Sequence, residues 1–272
     1  MLNGVHDVNV VQIEDATRPA PAAAAPASGR RARNRLARHR DYLQAALGIA
    51  TEEGLAALTM QRLATEVDAA VGTVYTYFPS KGALVAEVQR EAVDRLTTSY
   101  LLLRPVIEER VADLDPSVAA LAHLSGFARF CIESVRTLPQ EQRLLQQLMY
   151  DADQMVPTEE GARVLPTIMR LLELARERFA LAAEVGALQP ADAMERTIVL
   201  AAALNGVLQV GKLARWDPDL LDGPRLARVL VDDLLAGWGA EPAHLAEAHA
   251  VIDAIARRGP LARPLPHGDA SS

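Results

Sequence analysis

The stretch from Thr59 to Leu84, TMQRLATEVDAAVGTVYTYFPSKGAL, constrains the fold more than any other part of this 272-residue chain. It carries two apolar stripes at helical spacing, each about two turns long. Met60, Leu63, Ala64 and Val67 fall on one side of the first, and Val71, Val74, Tyr75 and Phe78 fall at i, i+3, i+4 and i+7 in the second. Asp68, Ala69 and Ala70 between them are too few and too polar for anything but a turn. Thr59 is a good N-cap for the first short helix. Pro79 ends the second, and Ser80 caps a fourth helix that begins at Lys81.

A longer helix precedes these two. Leu43, Ala46, Leu47 and Ala50 form its apolar stripe, and Gly54 stops it by taking a left-handed conformation, with Leu55 folding back as the hydrophobic contact of the stop. Helix, tight turn, helix, laid on a longer first helix, is the helix-turn-helix plan, in which the second short helix enters the major groove.

These residues resemble the DNA-binding domain of TetR-family transcriptional regulators. The likeness rests on Thr59, Leu63, Ala64, Gly72, Thr73, Val74, Tyr75, Tyr77, Phe78, Ser80, Lys81 and Leu84, with Glu53, Gly54 and Leu55 upstream, and covers roughly residues 35 to 84. Two positions depart from the family pattern. Asp68 stands where the family usually has a turn glycine, and Ala70 where it usually has a serine or threonine capping the reading helix. Asp tolerates the left-handed conformation, so the turn survives. The missing cap at Ala70 costs on the order of 1 kcal/mol and one phosphate-directed hydroxyl.

The resemblance implies roles for matching positions. Gly72 and Thr73 open the exposed face of the reading helix, where glycine permits close approach and threonine touches base edges or a thymine methyl. Tyr75, Thr76 and Tyr77 are expected on phosphates and flanking bases. Lys81 adds its charge to a helix N-terminus facing a phosphate, and Thr59 does the same for the helix before. Val74 and Phe78 are expected in the core. The reading helix holds no Arg, Asn or Gln, so specificity is expected to lean on apolar contact and DNA shape.

Charge is distributed accordingly. The chain is net −7, yet Arg30, Arg31, Arg33, Arg35, Arg38 and Arg40 crowd together with no acidic residue among them. One reading is an arm that tracks phosphates or enters the minor groove, with Arg33 and Arg35 as its contacts; the other is a solvated start to the first helix. Arginine outnumbers lysine 26 to 2, which reflects a GC-rich codon bias more than physics.

Beyond Lys81 the pattern is helical throughout, with no alternating run, so the expected fold is all-α: an N-terminal helix-turn-helix DNA-binding domain followed by a helical-bundle ligand-binding and dimerisation domain. The expected divisions are a disordered arm over 1–29, the head over 30–84, the bundle over 85–257 and a disordered tail over 258–272. Prolines set the helix limits. The fourth helix should end near Leu103, ahead of Pro105. Others are expected near 117–137, 140–150, 158–184, 191–214, 224–238 and 242–257, with Pro166 kinking or splitting the third of these.

The segments Ile198–Leu213 and Leu226–Trp238 are apolar around most of their circumference, so each needs partners on more than one side. They are either central to a monomeric core or, as the family implies, the interface of a homodimer. Ala203, Gly206, Val210, Leu230, Leu234 and Trp238 are the expected interface residues, with Gly211 a further point of close backbone approach. The family also implies a small-molecule effector held in the bundle. His123, Phe127, Cys131, Met149, Tyr150, Met169, Asn205 and Gln209 are candidates to line its pocket.

No catalytic or metal constellation is evident and no cofactor is expected. The six histidines are scattered, and His244 and His249 miss the i, i+4 spacing of a helical metal pair. The single cysteine, Cys131, excludes an internal disulfide. No secretory signal or membrane span is evident, so a cytoplasmic protein is expected. The expected function is a sequence-specific regulator, a repressor released from a palindromic operator by its ligand. The alternative is a ligand-independent helical adaptor or nucleoid-type DNA binder.

Overall fold

The computed structural model describes residues 27–150 and 158–265. Its regular structure among these residues is helical: α1 (Ala27–Glu52), α2 (Met60–Glu66), α3 (Val71–Tyr77), α4 (Lys81–Val111), α5 (Pro116–Thr137), α6 (Pro139–Tyr150), α7 (Thr158–Glu184), α8 (Ala193–Val210), a 3-10 turn (Gly211–Leu213), α9 (Gly223–Gly237) and α10 (Pro242–Ala256). The chain divides into two compact units at residue 40. In the described part of the first, residues 27–39, the side chains from Arg30 to Arg38 are exposed.

The second unit holds two apolar cores. One joins α1, α2, α3 and the first turns of α4 through residues such as Leu47, Leu58, Leu63, Val74 and Leu84. The other joins the rest of α4 to α5, α7, α8, α9 and α10. At 31 residues, α4 runs through both, a length of about 45 Å at 1.5 Å per residue. Helices α6 and α7 also reach the first core, because Leu144, Leu148 and Val164 are buried within it. By length and apolar composition α5 could cross a membrane, but 72% of its most apolar window is buried among the other helices.

One proline expectation fails and one is narrowed: the fourth helix does not end ahead of Pro105, and the helix at Pro166 is not split. Helix α4 continues past Pro105 to Val111, and α7 runs unbroken through Pro166. Both prolines lie on exposed faces. The carbonyl each leaves without a partner can therefore meet water, while Leu103, Ile107 and Val111 on one helix, and Val164 and Thr167 on the other, stay buried around the break. The tail expectation also changes. Residues 258–265 are not loose: Leu261 and Ala262 are buried, and the Leu261 N–H donates to Glu133 Oε2 at 2.6 Å. Ser99 Oγ donates to the Arg263 carbonyl at 2.8 Å and accepts the Arg263 N–H at 3.0 Å. Two buried apolar side chains and three hydrogen bonds hold a segment whose prolines suggested none. Residues 1–26 and 266–272 of the expected arm and tail lie outside the described residues.

Candidate nucleic-acid interface

The α2–α3 turn is fixed by its own backbone. Thr59 Oγ1 accepts the Arg62 N–H at 3.0 Å and so caps α2. At the other end, Asp68 takes φ 47°, the Ala69 N–H donates to the Ala64 carbonyl at 2.9 Å and the Asp68 N–H to the Thr65 carbonyl at 3.4 Å. That pair of bonds is the Schellman ending, with aspartate in the left-handed place usually filled by glycine. Gly54, at φ 90°, ends α1 in the left-handed region too, with Leu55 buried behind it.

On α3, Val74 and Phe78 are buried and anchor the helix. Gly72, Tyr75 and Thr76 are exposed on the other side, Tyr75 by 49%, and Thr73 is half-buried between the two. A Cβ at Gly72 would meet nothing within 4 Å, so the exposed face is open to a large partner. Thr76 Oγ1 donates to the Gly72 carbonyl at 3.2 Å and is exposed. Tyr77 stands apart: it is half-buried, with its ring edge-on to Tyr42 at 5.0 Å. Its ring helps seat α3 on α1.

Lys81 is exposed at the start of α4, with Nζ 3.4 Å from the Ala56 carbonyl. Ser80 Oγ accepts the Ala83 N–H at 2.9 Å. Arg62 is a different case, because Glu53 at 2.6 Å and Glu66 at 2.7 Å neutralise it, and its hydrogen bonds hold the Glu53 carboxyl below the usual range. The arginines from Arg30 to Arg38, Arg33 and Arg35 included, are exposed on helical turns of α1. They sit on a solvated helix start, where alanine, leucine and arginine all favour helix.

In the bundle, His123 and Phe127 are buried one turn apart on α5, and half-buried Cys131 follows a turn later. Tyr100 of α4 packs its ring edge-on to Phe127 at 5.0 Å. Tyr100 Oη and His123 Nδ1 are both buried with no hydrogen-bond partner. Burial first, then the Arg178 and Arg104 charges, push the His123 pKa down to about 4. Burial likewise pushes Tyr100 and the Cys131 thiol up to about 12. Arg178, itself buried, lies 3.3 Å from Glu108. Sequence reasoning missed Tyr100 and Arg178. The available signal was a tyrosine on the apolar stripe Leu96, Tyr100, Leu103 and Ile107.

Other candidates separate. Met169 is 39% exposed and lines no interior, since it lies on the outer side of α7 from Val164 and Thr167. Asn205 and Gln209 are half-buried on α8, and Gln209 Nε2 is buried without a partner. The side chains of Met149 and Tyr150 lie outside the described residues. Half-buried Trp238 packs within its own chain, its ring 5.4 Å from Phe179 and 5.4 Å from the Arg196 guanidinium carbon. Gly211 meets Gly223 within the same chain: a Cβ on Gly223 would come 3.1 Å from the Gly211 Cα. Leu234 is half-buried against the core, Ala203, Val210 and Leu230 are half-buried, and Gly206 is open. Ile198, at 50%, and Val199 and Val229 are the exposed large apolar residues of α8 and α9. Among the described residues, no three His, Cys, Asp or Glu side chains converge as a metal site.

Residues 43–88 match the family described as bacterial regulatory proteins, tetR family. The head is a TetR-family head. Its reach is that of the match, from α1 into the first turns of α4. Over the whole chain, the RolR structure in complex with resorcinol is similar at 21% identity, covering 87% of this chain and 98% of that one with a TM-score of 0.52. SmeT, the repressor of the Stenotrophomonas maltophilia multidrug efflux pump SmeDEF, is 20% identical over 74% of this chain and 89% of its own, with a TM-score of 0.48. KstR2, the ketosteroid transcriptional regulator of Mycobacterium tuberculosis, is 17% identical over 75% and 96%, with a TM-score of 0.46. No curated protein matches the chain. Both departures of this TetR-family head from its pattern have local consequences only. Asp68 takes the glycine conformation, and Ala70 starts α3 with extended backbone but no side-chain bond to the helix amides.

Proposed function

We propose that this protein is a homodimeric transcriptional repressor of the cytoplasm that lays α3 of each head in a major groove of a palindromic operator and leaves the DNA when a small molecule binds its bundle. The observation that carries the reading is the split of α3 into an anchored side, Val74 and Phe78, and an open side, Gly72, Tyr75 and Thr76 with Thr73 at its edge. A helix that short with so small an exposed face reads bases through threonine and tyrosine contacts and DNA shape. Lys81 and the α4 amides take a phosphate, Thr59 and Tyr77 flank it, and Arg33 and Arg35 add backbone charge.

The effector would bind where Tyr100 Oη and His123 Nδ1 lack partners, because a ligand with a donor and an acceptor satisfies both. Phe127 and Cys131 would line the same place. Leu144, Leu148 and Val164 supply the link, since bundle helices that share the head's core cannot shift without moving it. Emptying an occupied operator takes several kcal/mol of preference for the released state. Ile198, Val199, Gly206 and Val229 are the apolar surface on α8 and α9 that a second copy would cover, with Ala203, Val210 and Leu230 at its margin.

The test is selection of sheared genomic DNA by the purified chain, followed by sequencing of what is retained. Enrichment of a palindrome is the expected result, and uniform retention would reject operator reading. Thr73→Ala with Tyr75→Ala should remove the enrichment and leave the helical content intact, each lost contact being worth about 1–3 kcal/mol.

A further inference from the structure

The start of α4 already has an anion beside it. Ser80 Oγ, besides accepting the Ala83 N–H, donates to Glu160 Oε1 at 2.8 Å. Glu160 lies in the first turn of α7, and one turn further on Val164 is fully buried in the head's core beside Leu144 and Leu148. The carboxylate is therefore held in place by packing as well as by its hydrogen bond. No cation pairs with Glu160 among the described residues, and Lys81, the next residue after Ser80, directs its ammonium to the Ala56 carbonyl.

A helix N-terminus gathers free amides and the positive end of the dipole, and it stabilises whichever anion is nearest. We propose that Glu160 is a built-in brake on DNA binding: its carboxylate supplies the charge that a DNA phosphate would bring to Ser80, Lys81 and the α4 amides, and repels that phosphate. This rests on the reading that the start of α4 faces the DNA backbone. Helix α7 also carries Arg178 and Phe179 in the bundle, so one rigid element joins the brake to the neighbourhood of Tyr100 and His123. A ligand that fixes α7 in this position keeps the carboxylate in place and favours the free protein.

The experiment uses the full chain and a fluorescent duplex of random sequence, because the repulsion is with the backbone and needs no operator. Glu160→Gln keeps the size and the acceptor and removes the charge; Glu160→Ala removes all three. Both should bind about threefold tighter per head, hence about tenfold for two heads, as expected from two unit charges some 6 Å apart in water. The gain should shrink between about 50 mM and 200 mM salt. Unchanged affinity in both variants, while Lys81→Ala still weakens binding, overturns the brake and leaves the head's role standing. Tightening by Glu160→Ala alone also overturns it, because bulk and not charge would then be the obstacle. Failure of every form of the chain to bind the duplex rejects the DNA reading of the head, and the brake with it.

Discussion

Between residue 40 and Leu84, Thr51 and Tyr42 are the buried side chains that carry a polar atom, and the Thr51 hydroxyl donates to the Gly48 carbonyl at 2.8 Å. The residues beyond Leu84 contrast with this: Gln89 Oε1 and Gln147 Oε1 beside the head's core, and Tyr100 Oη, His123 Nδ1, Ser125 Oγ and Gln209 Nε2 in the bundle, are all buried without a partner. A buried polar atom left unmet costs roughly 1–3 kcal/mol, so the bundle and the helices that lean on the head carry a free-energy reserve that the stretch from residue 40 to Leu84 lacks. The closed core suits an element that must present one surface to DNA. The open one suits an element that gains by accepting a polar molecule or by rearranging.

The largest effect expected from breaking this contrast is in the head. Leu63 is fully buried between α1, α2 and α3, and Leu63→Ala should cost about 2–5 kcal/mol, because a core with no slack collapses poorly around a cavity. The two probes weight the regions differently, since three of the five tyrosines, Tyr42, Tyr75 and Tyr77, lie in the head and Tyr100 and Tyr150 in the bundle, while both tryptophans, Trp216 and Trp238, lie at the other end of the chain. Urea unfolding should show the tyrosine signal lost earlier. A tryptophan transition that moves with it would mean that Leu144, Leu148 and Val164 bind the two cores into a single cooperative unit.

The next effect belongs to the bundle and depends on pH. His123 has a folded pKa near 4 against 6.5 for an ordinary histidine. Above pH 6.5 the ring is neutral in both states and has no influence. As pH falls from 6.5 to 4 the unfolded chain takes up a proton that the folded one refuses, so stability declines, by at most about 3 kcal/mol, and levels off below 4. His123→Leu should flatten that slope and raise stability at neutral pH. A slope that persists in the variant would place the titrating group elsewhere.

What could be read from residues alone divides along the same line. The head was legible because its signals are local: Gly54 and Asp68 take left-handed conformations, Ser80 and Thr59 cap their helices, and apolar spacing gives Val74 and Phe78. The bundle's helices were legible to within a few residues, because prolines and capping residues mark their starts. Their contacts, and the end of α4, were not. Pro105 and Pro166 are tolerated because tertiary burial outweighs a local penalty, and the hold of Glu133 and Ser99 on residues 261–263 spans more than a hundred positions. The packing of half-buried Trp238 on Phe179 was not legible, because a helix apolar on two sides does not say which side meets its own chain. Tyr100 and Arg178 were missed because an unmet hydrogen bond is a property of packing, invisible in a pattern of apolar positions.

The smallest expected effect tests whether the head is as closed as its side chains suggest. Ala70 is exposed at φ −67° and ψ 139°, the extended conformation of a helix N-cap, yet offers α3 nothing beyond its carbonyl. A hydroxyl in that place can accept an amide proton from the first turn, as Ser80 does for α4 at 2.9 Å. Ala70→Ser should therefore stabilise the head by about 1 kcal/mol, seen as a shift of the tyrosine transition to higher urea, and leave the pH dependence from His123 as it was. The same hydroxyl adds a phosphate donor at the reading helix, so duplex affinity should rise with stability. A head transition that does not move would mean that the α3 amides are already met by water at no net cost, and that the helix draws its stability from Val74 and Phe78 alone.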